Sequence, residues 1–104
     1  MDFYVYVLFR ENGVPFYVGK GRGKRWFRHE ETARGSKRRD GNRHKLAVIR
    51  KMHVAGLDVP KVKVATSLTD DQACAYEVAW IAAIGRADLG SGPLANMTNG
   101  DRSF

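Results

Sequence analysis

The segment FYVYVLFRENGVPFYVG, residues 3–19, decides the architecture. Phe3 to Phe9 are aromatic, β-branched or leucine, a composition that suits a pleated strand. Asn12-Gly13 is a hairpin signal, because a tight two-residue turn needs positive φ at both central positions. Residues 15–19 (PFYVG) then return as a second strand. A two-residue loop at Asn12-Gly13 sets Glu11 against Val14, Phe9 against Phe16, Leu8 against Tyr17 and Tyr6 against Gly19. Side chains alternate along a strand, so Tyr4, Tyr6 and Leu8 share one face with Tyr17 and Gly19. Tyr6 and Tyr17 become diagonal neighbours, about 7–8 Å apart, and Gly19 leaves space opposite Tyr6. A bulge would shift this register. Paired aromatic residues on a strand also suit a packed core, so the hairpin alone does not define a site.

Outward from the hairpin, GKGRG at 19–23 reads as a tight loop. A helix is expected from Lys24 to about Ala33. Residues 35–43 (GSKRRDGNR) are polar, basic and broken by glycine, the pattern of a loop. A second helix covers roughly 43–55, with Leu46, Ile49 and His53 on one face, and Gly56 ends it. KVKVAT at 61–66 alternates strictly, with Val62 and Val64 on one side and Lys61 and Lys63 on the other, as in a half-buried strand. Thr69-Asp70-Asp71-Gln72 is a capping box that opens a third helix, continuing to Ile84 before Gly85. Residues 86–104, rich in Gly and Asn, read as irregular. The order ββααβα describes a small α/β layered domain, expected as a single unit over residues 1–104.

Composition narrows the function classes. The 104 residues include 18 Lys and Arg against 11 Asp and Glu, a net charge of +7. Much of the excess falls between Lys20 and Lys51. A one-sided basic surface points to a polyanion, usually nucleic acid. An anionic membrane is disfavoured, because no long basic amphipathic helix carries an aromatic face. Cys74 is the only cysteine, which excludes an internal disulfide and a cysteine-rich zinc site. No apolar run reaches the ~18 residues of a spanning helix. Met1-Asp2-Phe3 shows no signal-peptide pattern, and a cytoplasmic location is expected.

Two further features bear on chemistry. Ala73, Tyr76, Glu77, Trp80, Ile81 and Ile84 follow a helical i, i+3, i+4, i+7 stripe. A carboxylate at Glu77 on that stripe is costly unless it is paired or binds a metal. Arg25 and His29, four apart, share a helix face. Arginine suits a phosphate through its planar fork of donors, and histidine suits proton transfer near neutral pH. A solvated basic face would look the same. The Gly19-to-Gly23 run can bring backbone donors near a phosphate, but no GK[ST] ends it, so it is not a Walker loop.

Tyr4-Val5-Tyr6 followed by Tyr17-Val18-Gly19 resembles the GIY-YIG nuclease signature, with Tyr4-Val5 in place of the first Gly-Ile and Val18 in place of the second Ile. The downstream order is also similar: Arg25 and His29 in a basic helix, Glu77 in a later helix and Asn96 near the end. Asn99 is the alternative asparagine, readable as a turn residue before Gly100. The YVGKGRG stretch is closest to the nuclease domains of LEM-domain endonucleases. The resemblance implies a three-stranded antiparallel sheet flanked by helices. It implies Mg²⁺-dependent hydrolysis of DNA, with Mn²⁺ as an alternative ion, RNA as an alternative substrate and a homodimer left open. Tyr6, Tyr17, Arg25, His29, Glu77 and Asn96 would form the catalytic set, with Glu77 the metal ligand. A tyrosine would activate water; Tyr6 is preferred, with the roles of Tyr6 and Tyr17 exchangeable. Lys20, Arg22, Lys24, Arg28, Lys37, Arg38, Arg39, Arg43 and Lys45 are expected to track the nucleic-acid backbone. The rival readings are a non-catalytic nucleic-acid-binding module on the same scaffold, and an interaction domain using Trp26, Phe27 and Phe104.

Overall fold

Strand β1 (Phe3–Phe9) lies between β2 (Pro15–Arg22) and β3 (Lys61–Leu68) and is antiparallel to both. The structure is a computed structural model that describes residues 1–33 and 42–100. Every residue from Tyr4 to Leu8 is buried, as expected of a central strand covered on both faces. Its alternation divides the core. Tyr4, Tyr6 and Leu8 pack with α1 (Arg28–Ala33) and α2 (Arg43–Val54) through Ala33, Leu46, Ile49 and Met52. Val5, Val7 and Val18 pack on the other side with α3 (Asp70–Ile84) through Ala73 and Ile81, joined by Leu94. The expected α/β class, a three-stranded antiparallel sheet flanked by helices, is what the chain forms. Among the described residues no helix is long and apolar enough to cross a membrane.

The hairpin register matches the expected one at the functional end. Leu8 faces Tyr17 and Tyr6 faces Gly19. It differs near the turn, where a bulge sets Phe9 against Pro15 rather than Phe16. The loop is longer than two residues: the Gly13 N–H donates to the Arg10 carbonyl, and the Arg10 N–H to the Val14 carbonyl. The bulge absorbs the extra residue.

The glycine run is not a loop. β2 continues to Arg22, pairing Lys20 with Val5, Gly21 with Tyr4 and Arg22 with Phe3. Glycine weakens a strand in isolation, yet it is tolerated where another group must approach the backbone closely. β1 supplies the partner groups, and the bare backbone leaves room over the sheet.

Other elements begin with small departures. The first helix opens as a 3-10 turn (Arg25–Phe27) before α1. On β3 the strict alternation is only partly expressed. Val62 is 50% exposed, because β3 is an edge strand with an interrupted register and α3 covers only its later part, through Val64, Ala65 and Leu68. Lys61 does not point freely to solvent but pairs with the buried Glu30 at 3.1 Å. Lys63 lies over the Tyr4 and Trp26 rings, 4.4 and 4.6 Å from their centroids.

The Thr69 capping box is formed in full, with Thr69 and Gln72 exchanging bonds. Tyr76 falls on the predicted apolar stripe but is 48% exposed, since nothing described packs beyond that edge of α3. The segment after α3 is more ordered than its composition suggests. A 3-10 turn (Ala87–Leu89) leads to a bridge between Arg86 and Leu94, and the Ala95 N–H then bonds the Phe16 carbonyl at 2.7 Å.

Candidate active site

The front face of the hairpin carries three rings in contact. Tyr6 and Tyr17 have centroids 6.5 Å apart, and His29 from α1 lies 5.7 Å from Tyr6 and 4.8 Å from Tyr17. Tyr6 Oη meets His29 Nε2 in a hydrogen bond. Gly19, opposite Tyr6, makes this possible: a Cβ there would lie 2.5 Å from Tyr6 Cζ. Gly21 does the same for Arg25, whose Cβ and Cδ would sit 3.0 Å from an added methyl group. Tyr4 holds the Arg25 turn from below. Its hydroxyl donates to the Gly23 carbonyl at 2.7 Å and accepts from the Trp26 N–H at 3.2 Å.

Glu77 reaches the same cleft from the helix behind the sheet, and the free edge of β2 explains how. Residues two apart on a strand direct their backbone groups to the same side. On the outer side of β2 those groups belong to Phe16, Val18 and Lys20. The Phe16 carbonyl takes the Ala95 N–H. Asn96 pairs with Val18 twice, its Oδ1 accepting from the N–H at 3.0 Å and its Nδ2 donating to the carbonyl at 2.8 Å. The Lys20 backbone N–H turns toward the Glu77 carboxylate and favours its charged form. An edge strand exposes unpaired donors and acceptors; here Ala95 and Asn96 satisfy those of Phe16 and Val18, and Glu77 lies next along the row. Glu77 is the last of that row, so it sits where the edge opens into the cleft.

The electrostatics are those of a half-desolvated anion among cations. Burial lifts the Glu77 carboxyl to about 7, opposed by the charge and backbone N–H of Lys20 and by Arg25. Burial also pushes the Tyr6 phenol well above its usual value, helped by Tyr17, Glu77 and Tyr4 and opposed by Arg25. Lys20 Nζ is 2.6 Å from Asp70, in the first turn of α3. The cleft has a volume of about 460 Å³ and is lined by Phe3, Tyr6, Tyr17, Gly19, Lys20, Gly21, Arg22, Arg25, His29, Asp70 and Glu77.

Two tyrosines from one hairpin, an arginine from the following turn, a histidine from α1 and a glutamate from α3 thus share one cavity. Comparison with known families matches residues 13–103 to the LEM-3-like GIY-YIG domain. The chain belongs to this GIY-YIG family. No curated protein and no solved structure matches it. Family membership marks the chain as a nuclease domain with a nucleic-acid substrate. The matched span begins after β1, so Tyr6 stands outside it and is tied to the GIY-YIG domain by its pairing with Gly19.

Within this GIY-YIG domain, Tyr6, Tyr17, Arg25, His29 and Glu77 all line the cleft. Asn96 is buried behind it on Val18. Asn99, the alternative, instead accepts from Arg86 at 2.9 Å. Among the expected phosphate contacts, Lys20 and Arg22 line the cleft. Lys24, Arg28 and Arg43 are exposed outside it, while Lys37, Arg38 and Arg39 lie outside the described residues.

Lys45 needs correction: it is 2% exposed and bonds His29 Nδ1 at 2.8 Å. It does not track a nucleic-acid backbone. The helical spacing carried the signal, since Lys45 is four residues before Ile49 and seven before Met52, both buried on the same side of α2. The basic run around it masked that spacing. Asn42, Phe3 and Asp70 also escaped the sequence reading. Asn42 caps α2 by accepting from the Lys45 N–H at 3.0 Å, and its Nδ2 donates to the Ala95 carbonyl at 2.7 Å.

Proposed function

We propose that this domain is a metal-dependent endonuclease hydrolysing phosphodiester bonds in DNA, with RNA a second substrate of the same chemistry. The observation that carries the reading is the convergence of Tyr6, Tyr17, His29, Arg25 and Glu77 on one basic cleft.

A hydrated Mg²⁺ or Mn²⁺ fits the donors present. Glu77 is a single half-buried carboxylate whose ionised form burial disfavours, and a neighbouring cation would restore it. Among the described residues no group of three or more His, Cys, Asp or Glu could hold a metal. That suits a hard ion that keeps most of its waters and does not suit zinc, which takes three or four protein ligands. Glu77 would hold the ion, which when bound supplies positive charge to the phosphate and the leaving oxygen.

The remaining steps belong to the chain's own side chains. Arg25 clamps a nonbridging phosphate oxygen with its forked donors. Tyr6 Oη, as phenolate, takes a proton from water while the water oxygen forms a bond to phosphorus and the bond from phosphorus to the leaving oxygen breaks. Tyr17 orients the water or phosphate. His29 holds Tyr6 Oη, and Asn96 keeps the β2 edge and hence the hairpin in place.

The test is to incubate the protein with linear, nicked, flap and branched DNA in Mg²⁺ or EDTA, alongside Glu77→Gln. Metal-dependent products from the unsubstituted chain and none from the variant are expected. No product from any substrate would instead favour a binding module on the same scaffold.

A further inference from the structure

Beneath the three rings lies a lysine with no evident place on a nucleic-acid surface. Lys45 Nζ is 2.8 Å from His29 Nδ1 and 4.7 Å from the centre of the Tyr17 ring. Its side chain is fully buried, an expensive position for an ammonium. Its backbone is fixed by the Asn42 cap, which is itself fastened to Ala95, the residue before Asn96.

The donor inventory gives this contact a direction. An ammonium has three donors and no acceptor. A bond from Lys45 Nζ therefore uses the lone pair on His29 Nδ1. A neutral imidazole carries its proton on the other nitrogen, Nε2, which is the atom facing Tyr6 Oη. His29 thus donates to Tyr6, and the phenolic oxygen accepts. With the opposite tautomer Nε2 would carry a lone pair, Tyr6 would donate into it, and the ring would offer a phenolate no donor. A second group that bonds one ring nitrogen decides what the other can do.

We propose that Lys45 is a positioning residue that fixes His29 as the Nε2–H tautomer, so that a donor chain from Lys45 through His29 ends on Tyr6 Oη. This rests on the nuclease reading for its catalytic consequence but not for its geometry. The chain favours the phenolate of Tyr6 against the burial that disfavours it. Lys45 touches no substrate itself; it acts through the imidazole.

The experiment reads the ring and the rate separately. In the ¹⁵N-labelled protein at neutral pH, the His29 imidazole signals, identified by their loss in His29→Gln, are expected to show the proton on Nε2. Lys45→Met, similar in volume, is expected to move the proton to Nδ1. On supercoiled plasmid with Mg²⁺ it should lower kcat by at least about tenfold while KM stays within about twofold. Lys45→Arg, which keeps a donor-only group, should restore the Nε2–H form and part of the rate. An Nδ1–H ring in the unsubstituted chain overturns the proposal without any variant having to fold. So does Lys45→Met with an Nε2–H ring and unaltered kcat. Absence of cleavage by the unsubstituted chain overturns the nuclease reading and the catalytic consequence, while the ring spectrum still decides the direction of the Lys45–His29 bond.

Discussion

Gly19 and Glu77 show how single positions shape the cleft in opposite ways, one by having no side chain and the other by having a charged one. At Gly19 the added methyl group of alanine would overlap the Tyr6 ring. Gly19→Ala is expected to cost about 1–3 kcal/mol, the range for overpacking a filled site. Cleavage should fall further than that loss explains, because relief requires Tyr6 to move away from His29. Denaturant melts and initial rates on the same preparation separate the two effects. Glu77 imposes a pH dependence on the metal-free fold. Its carboxyl sits at about 7 against the usual 4.5. The contribution of its neutral form is complete below 4.5 and is lost as pH rises through 7. Melts in EDTA should therefore show stability declining from about pH 4.5 to 7 through this group and levelling off above. Glu77→Gln, which cannot ionise, should flatten that part of the profile. An unchanged slope in the variant would place the charge elsewhere.

At the scale of elements, the outer edge of β2 joins sheet, tail and third helix. Phe16, Val18 and Lys20 direct backbone groups outward, and Ala95, Asn96 and Glu77 meet them in sequence. The edge is thereby closed to pairing with another chain over that stretch. Asn96→Ala would strand both the N–H and the carbonyl of Val18 in a buried position. At about 1–3 kcal/mol for each unsatisfied group, a loss of roughly 2–6 kcal/mol is expected, measurable by urea denaturation. Hydrogen exchange at the Val18 amide should accelerate more than at Val5 or Val7 in the protected centre of β1. Asn99→Ala, which removes only an exposed contact to Arg86, should shift stability by less than about 0.5 kcal/mol.

For the whole molecule the net charge of +7 sets how the proposed nuclease would meet a nucleic acid. Lys20, Arg22 and Arg25 line the cleft, and Lys24 and Arg43 add exposed charge outside it. Each phosphate contact made by such a side chain adds about 0.9 to the slope of log affinity against log salt on duplex DNA. Arg22→Ala is therefore expected to weaken binding and reduce that slope by up to about 1, without altering sequence preference. Fluorescence anisotropy across a salt series would check it, and an unaltered slope would place Arg22 off the DNA path.

The two strands of the hairpin, the capped third helix and the aromatic face were legible in the linear pattern because they depend on local rules: alternation, turn chemistry and an N-cap. A two-residue turn would place Tyr6 against Gly19; the longer loop and the bulge beside it offset each other and leave that pairing unchanged. The local rules failed where long-range contacts outweighed local preference. GKGRG reads as a loop by composition, yet β1 holds it as strand. The segment around Asn96 reads as irregular, yet the vacant edge of β2 orders it. Glu77 could be recognised as an anomaly on an apolar stripe, but only the packing of α3 against that edge brings it into one cleft with residues from the other side of the sheet. Lys45 is the clearest case. In the sequence it is one more charge in a basic run, and burial with a donor bond to His29 depends on which face α2 turns inward. That choice is made by the apolar residues around Lys45 and by the Asn42 tie to Ala95, contacts between segments far apart in the chain.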